Sequence, residues 1–570
     1  MSNSKNNKQK KIKPISGRYT LTNVICNYYL LVMFTVFPLF VTITFTESFP
    51  FISFAHGFSS IRHQKYYFFL VITAMAVIAE VMLLLTRSSK DAKKPDPSAR
   101  TLLNMMSFTD WAVIAFVLTC AVSTVFSEYI DMAVTGEMSF VNSTHGRNNG
   151  LILMLFYAAA YFFITRCFKF KEYVFIAMAV VSGVVYLLAV LNGFYLDPLG
   201  ILENFRVSSD SGDQRIYNEF MTTIGNKNMF SSYICVTLPV IVSMFVFTEK
   251  LWRKAVYLTA LVLGSMASVI CDSDSVVLGI GAFVLVFITV YSRNPQRLRR
   301  FMLALTVMLS SVKLLWLISL PSGEHYKELS AIPYKLMLSG RTNFAIIALA
   351  LITAALYFVT LKTKISCFPP AVPIALGSLF GLAVLAGIGT IIYFTCIDTT
   401  TDLGEKERLL RYSDAWGTHR GFMWNKSLEA YKGFNVFHKL FGTGPDTLFY
   451  SFAPYFSELS ERFGDGTTDA AHNEYINYLL NIGIFGLLSY LTMVGSALAS
   501  AFRAAKKNPV ALVFASAVVA YLAQATVNIA LPIATPLFII FVSLCEAAKR
   551  TSNTTTDKNE KKDNKHEKQH

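Results

Sequence analysis

His472 stands in the stretch Asp469-Ala470-Ala471-His472-Asn473-Glu474-Tyr475, which closes a long polar segment and runs into the apolar Leu479-Leu480-Asn481-Ile482-Gly483. Imidazole is the side chain whose ordinary pKa lets it take a proton near neutral pH, so a histidine at the lip of a membrane helix is a candidate base. Upstream, Leu440-Phe441-Gly442-Thr443-Gly444-Pro445-Asp446 carries two glycines and a proline. They predict a sharp turn with backbone N–H groups free to meet an anion or a sugar hydroxyl. Asp272 and Asp274 form a close acidic pair. Carboxylate pairs can hold divalent cations, but a hairpin turn accounts for two aspartates so placed, and no metal is expected. Glu474 has two readings, orienting the imidazole or merely opening the helix, and the second is preferred because a carboxylate there is favoured by the dipole. Without context, a histidine in this position would be only a hydrogen-bonded cap.

The elements that must position these residues are membrane helices. Of the 570 residues 54% are hydrophobic and only 15% charged, against roughly 25% charged in a soluble domain. Mean hydropathy is +0.46. The net charge of +15 does not point to nucleic acid, because the basic residues fall in short clusters between apolar runs, as cytoplasmic loops against anionic lipid do. The eight cysteines are scattered with no C-x-x-C and read as small buried hydrophobes. No cleavable signal is apparent: the Lys-rich start precedes an apolar run too long for a signal core.

Runs near the length needed to cross a bilayer predict an all-α polytopic membrane protein with about 12–14 transmembrane helices. The expected organisation is a basic tail over 1–20, spans through 21–396, a large extracytoplasmic loop with short interfacial helices over 397–477, further spans over 478–548, and a disordered tail over 549–570. Most Lys and Arg then fall on one side, which places both termini in the cytoplasm and the His472 segment outside. Inside the spans ionisable groups are few. Glu80 and Lys313 invite a buried pair, but the topology sends them toward opposite interfaces.

In order along the chain, Arg420 ahead of Met423-Trp424, the G-x-G-P core of 440–446, and His472-Asn473-Glu474-Tyr475 followed by Gly483 and Gly486 resemble the O-antigen ligase and polymerase superfamily. The likeness extends more weakly to Gly146-Arg147-Asn148-Asn149-Gly150 and to Gln214-Arg215 with Gly225-Asn226-Lys227-Asn228. The sequence departs from the family at Ser273-Asp274-Ser275, where a Ser-Arg pair is usual, and at Lys227, where proline is usual.

The resemblance implies a cofactor- and metal-independent glycosyl transfer at the outer face of the cell membrane. A polyprenyl-pyrophosphate-linked glycan would be the donor and a glycan or other hydroxyl the acceptor. The leaving group is anionic, so guanidinium groups should stand beside it; a sugar hydroxyl is a poor nucleophile and gains from a base. His472 is expected to be that base, with Arg420, Arg215 and, more weakly, Arg147 on the pyrophosphate. Direct attack would invert the anomeric centre. The partners are thus membrane lipids and lipid-linked glycan, with no nucleic acid. The alternative is a flippase or exporter of the same lipid-linked glycan, which would require repeated halves and a charged central cavity.

Overall fold

The computed structural model describes residues 17–41, 57–86, 106–140, 143–202, 219–363, 365, 367–464 and 466–566. Helices dominate. The first part of the chain forms α1 (Gly17–Leu39), α2 (Gly57–Leu85), α3 (Phe108–Val125), the short α4 (Ile130–Thr135), α5 (Leu151–Cys167) and α6 (Glu172–Gly193). Then come α7 (Lys227–Phe247), α8 (Leu251–Ile270), α9 (Ser275–Tyr291), α10 (Pro295–Ser319), the short α11 (Ile332–Leu338), α12 (Arg341–Lys362) and α13 (Ala371–Ile392). Short helices follow: α14 (Glu407–Leu410), α15 (Trp416–Gly433), α16 (Val436–Phe441), α17 (Leu448–Phe452) and α18 (Phe456–Phe463). The chain ends with α19 (Glu474–Ala504), α20 (Ala511–Gln524) and α21 (Thr535–His566). Among the described residues, strands occur only as two small antiparallel hairpins, Met138–Phe140 with Ser143–His145 and Phe220–Met221 with Gly225–Asn226.

Ten of these helices are long and apolar enough to cross a membrane, and α5, α9 and the Ala511–Val527 segment are shorter apolar helices. The protein is therefore an all-α polytopic membrane protein. α7 is buried on nearly every side, and its polar groups are satisfied by neighbouring helices: Ser182 meets Tyr233 at 2.9 Å, and Tyr186 meets Thr237 at 2.6 Å. Hydrocarbon offers no hydrogen bonds, so hydroxyls at this depth must find protein partners. α13 buries none of its residues and α12 few, so both stand at the periphery. Glu80 and Lys313 do not pair. Glu80 accepts from Thr22 at 3.1 Å, while Lys313 donates to the Met337 carbonyl at 2.7 Å.

Alternate connections gather on one face. Thr223 there bonds the Pro38 carbonyl, Asn528 that of Asn228, and Asn149 that of Ala530. The buried Lys65 donates to the carbonyls of Phe37 and Pro38 at 2.8 and 3.1 Å, satisfying acceptors that the end of α1 leaves unpaired. On the opposite face Arg166 grips both oxygens of the buried Asp110 at 3.0 Å, joined by Arg550.

The segment from 398 to 473 lies on the first face and has its own core, where Phe422, Met423, Leu448, Phe452, Leu459, Ala471 and Leu480 pack together. α15 buries Phe422 and Met423 against this core. Gly417, Thr418 and His419 are left-handed at its start, so regular helix begins at Arg420.

Candidate active site

α19 is broken at Gly483, where φ is 68° and ψ −174°, a backbone region open essentially to glycine alone. The break strands the carbonyls of Leu480 and Asn481. The glycine turn fills the gap: Thr443 N–H donates to Leu480 O at 3.1 Å and Gly444 N–H to Asn481 O at 2.9 Å. Gly442 and Gly483 lie back to back, and a Cβ on either would come within 2.4 Å of the other segment's backbone. This corrects the expectation that these N–H groups are free for an anion. The turn caps a broken membrane helix, because an unpaired carbonyl at that depth costs more than a vacant anion cradle is worth.

The same turn ends in Asp446, whose Oδ2 accepts the backbone N–H of Arg147 at 2.6 Å and of Asn149 at 3.1 Å. The carboxylate thereby docks the 146–150 turn beside the loop that carries His472. Arg147 then forms an ion pair with Asp469. Arg62, at the start of α2, donates from Nε to Asn148 Oδ1 at 2.8 Å. Three segments far apart in sequence are tied into one polar cluster.

His472 itself is left-handed, with φ of 49°, a conformation that costs a β-carbon residue on the order of 1 kcal/mol. Its neighbours hold it there. Trp424 Nε1 donates to the Ala471 carbonyl at 2.9 Å, Ala471 N–H donates to Asn477 Oδ1 at 2.7 Å, and Asn473 Oδ1 caps α19 through the N–H groups of Tyr475 and Ile476. The imidazole is half-buried, and its Nδ1 is shielded from water without a hydrogen-bond partner among the described residues.

Electrostatics follow from this packing. Burial first, then the Arg147 and Arg420 guanidinium groups, press the His472 imidazole down to about 3, against the opposing pull of Asp469. Burial alone would raise Asp469, yet Arg147 and then Arg62 hold it below the usual carboxylate range. Asp446, nearly sealed from water, is pushed by burial up to about 7 despite its two N–H donors. Burial lowers Arg420, and the charge of Asp274 partly offsets this. The ring is therefore held in its neutral form by burial and by two guanidinium groups that outweigh the single carboxylate of Asp469.

Of the residues expected from sequence, His472, Arg420 and Arg147 come together, whereas Arg215 lies outside the described residues. Glu474 does not face solvent at the helix start. It turns inward, accepting from Tyr490 at 2.6 Å and Tyr521 at 3.0 Å, because α19 presents that side to the bundle. Asp272 accepts from the N–H groups of Ser330 and Ala331 and Asp274 from that of Ile332, so the pair anchors a loop. No group of three or more His, Cys, Asp or Glu able to hold a metal ion occurs among the described residues. Arg62, Asp446 and Asp469 were missed. A cation at the very end of a span was the available signal for Arg62; the carboxylates gave none, since their partners are distant in sequence.

The fold is that of a polytopic membrane protein whose long loop brings a histidine and two arginines together. Residues 331–491 match the family model described as O-antigen ligase, which supports placing the chain in the O-antigen ligase and polymerase superfamily. The matched stretch contains Arg420, the glycine turn and His472, while Arg62 and Arg147 lie before it. No curated protein matches the chain. An O-antigen-ligase-like role in glycan processing at a membrane is the function this supports.

Proposed function

We propose that this protein moves a glycan from a polyprenyl-pyrophosphate donor to an acceptor hydroxyl at the outer face of the cell membrane, with both termini and the basic loops in the cytoplasm. The 397–477 loop is then extracytoplasmic and carries the site. In the transfer, the acceptor oxygen attacks the anomeric carbon while His472 takes its proton. The bond from that carbon to the pyrophosphate oxygen breaks, and polyprenyl pyrophosphate departs with the electron pair. Arg420 and Arg147 stand where the departing charge needs guanidinium groups, and Arg215 is the third candidate. Attack from the face opposite the leaving group inverts the anomeric centre.

The observation that carries this reading is the placement of a neutral imidazole, with an unpartnered Nδ1, against two arginines on the face that bears the family-matched loop. The two guanidinium groups weaken the free imidazole as a base, and the anionic donor, by offsetting their charge, restores its proton affinity in the complex. His472→Ala should lower transfer by about 10²–10⁴-fold, the usual worth of a positioned base, at unchanged protein level and membrane insertion. The assay is conversion of lipid-linked glycan to polymer or ligated product. Near-normal product in that variant would overturn the mechanism. Lipid-linked units trapped on the cytoplasmic leaflet would instead indicate transport.

A further inference from the structure

A small cavity of about 20 Å³ lies at the start of α19, its polar lining made by Asn149, Asp446, Glu474, Asn477 and Asn481. It has room for about one water-sized occupant. Its polar lining is rich in oxygen. Glu474 is 1% exposed, Asp446 3% and Asn481 6%. The Oδ1 atoms of Asn149 and Asn481 are buried and have no hydrogen-bond partner among the described residues. Both oxygens of Glu474 accept from tyrosine hydroxyls and one oxygen of Asp446 accepts two N–H groups. The hydrogen bonds to Glu474 come from phenols, with no ion pair to a basic side chain among the described residues.

Two buried carboxylates and two orphaned amide oxygens around a one-atom cavity call for a positive charge. Calcium asks for 6–8 oxygen ligands and magnesium keeps several waters, and neither requirement fits so small an enclosure. We infer that the cavity binds a monovalent cation, sodium by size, held by Asp446, Glu474, Asn149 and Asn481. The ion would join the turn carrying Arg147 to the start of α19, and so tie together the two segments that flank His472. Its presence is independent of the transfer chemistry, because stability alone reports it.

The test is thermal unfolding of the full chain in detergent or nanodiscs, in choline chloride and in sodium chloride at equal ionic strength. Sodium should raise the midpoint by several degrees in a saturable way, and potassium by less. Glu474→Gln removes the buried charge; its midpoint in choline should equal or exceed that of the unsubstituted protein, and sodium should no longer raise it. A purely structural role for Glu474 would lower the midpoint in both salts. Asn481→Leu, which introduces no charge, should weaken the apparent sodium affinity at least tenfold and serves if Glu474→Gln does not fold. Equal midpoints in sodium and choline for the unsubstituted protein, a sodium shift that survives Glu474→Gln, or an unchanged apparent sodium affinity in Asn481→Leu would overturn the site.

Discussion

The depressed proton affinity of His472 makes an unusual demand on the pH profile of the proposed transfer. An imidazole at its ordinary pKa of about 6.5 would be neutral in about 3% of molecules at pH 5, so kcat/KM would fall about 30-fold between pH 8 and 5. With the group pressed down to about 3, the neutral base persists and kcat/KM should stay flat across that range. Profiles of kcat/KM report the free enzyme, and those of kcat the donor complex. A bound pyrophosphate supplies negative charge beside Arg147 and Arg420, which relieves the repulsion, so the kcat limb should lie at higher pH than the kcat/KM limb. The sign for stability is fixed by the same shift. The unfolded chain takes a proton at about pH 6.5 and the folded one does not, so stability falls as pH drops from there toward 3, by about 5 kcal/mol at most. His472→Gln should abolish that part of the acid sensitivity. The assay is initial-rate transfer with a lipid-linked donor across pH 5–8, paired with unfolding midpoints. An acid limb in kcat/KM near 6.5 would refute the electrostatic reading, as would equal limbs in kcat and kcat/KM.

Two further substitutions probe the scaffold and the anion contact. Arg420→Lys keeps the charge but loses the planar fork that can grip two phosphate oxygens; the donor KM should rise about tenfold or more, a loss of about 1.4 kcal/mol, whereas an unchanged KM would remove Arg420 from the donor site. Gly483→Ala places a Cβ 2.4 Å from the Leu440 carbonyl group in a backbone region reserved for glycine. It should cost at least about 1–3 kcal/mol and lower both the unfolding midpoint and transfer. A midpoint equal to that of the unsubstituted protein would show that the break in α19 is not braced by the glycine turn.

Much of the architecture was legible because membrane solvation acts on composition. Every backbone group must be paired inside hydrocarbon, so apolar runs such as those that form α3 and α9 are legible as helices from composition. His472, Arg420 and the glycine turn stood out because each is a polar or conformationally special feature beside an apolar run. The turn's purpose did not, since the carbonyls it caps belong to a helix that looks continuous in sequence until Gly483 takes a glycine-only backbone.

What the sequence determined by itself, then, was the solvent, the helices and the histidine with its loop, all properties of neighbouring residues. The tertiary structure alone decided the surroundings that set the chemistry. Arg62 and Arg147 come from segments hundreds of residues before His472, Asp446 docks one turn onto another, and Glu474 turns inward to two tyrosines. Charge acts through space and burial. The protonation of His472 is therefore governed by groups whose nearness no local pattern records.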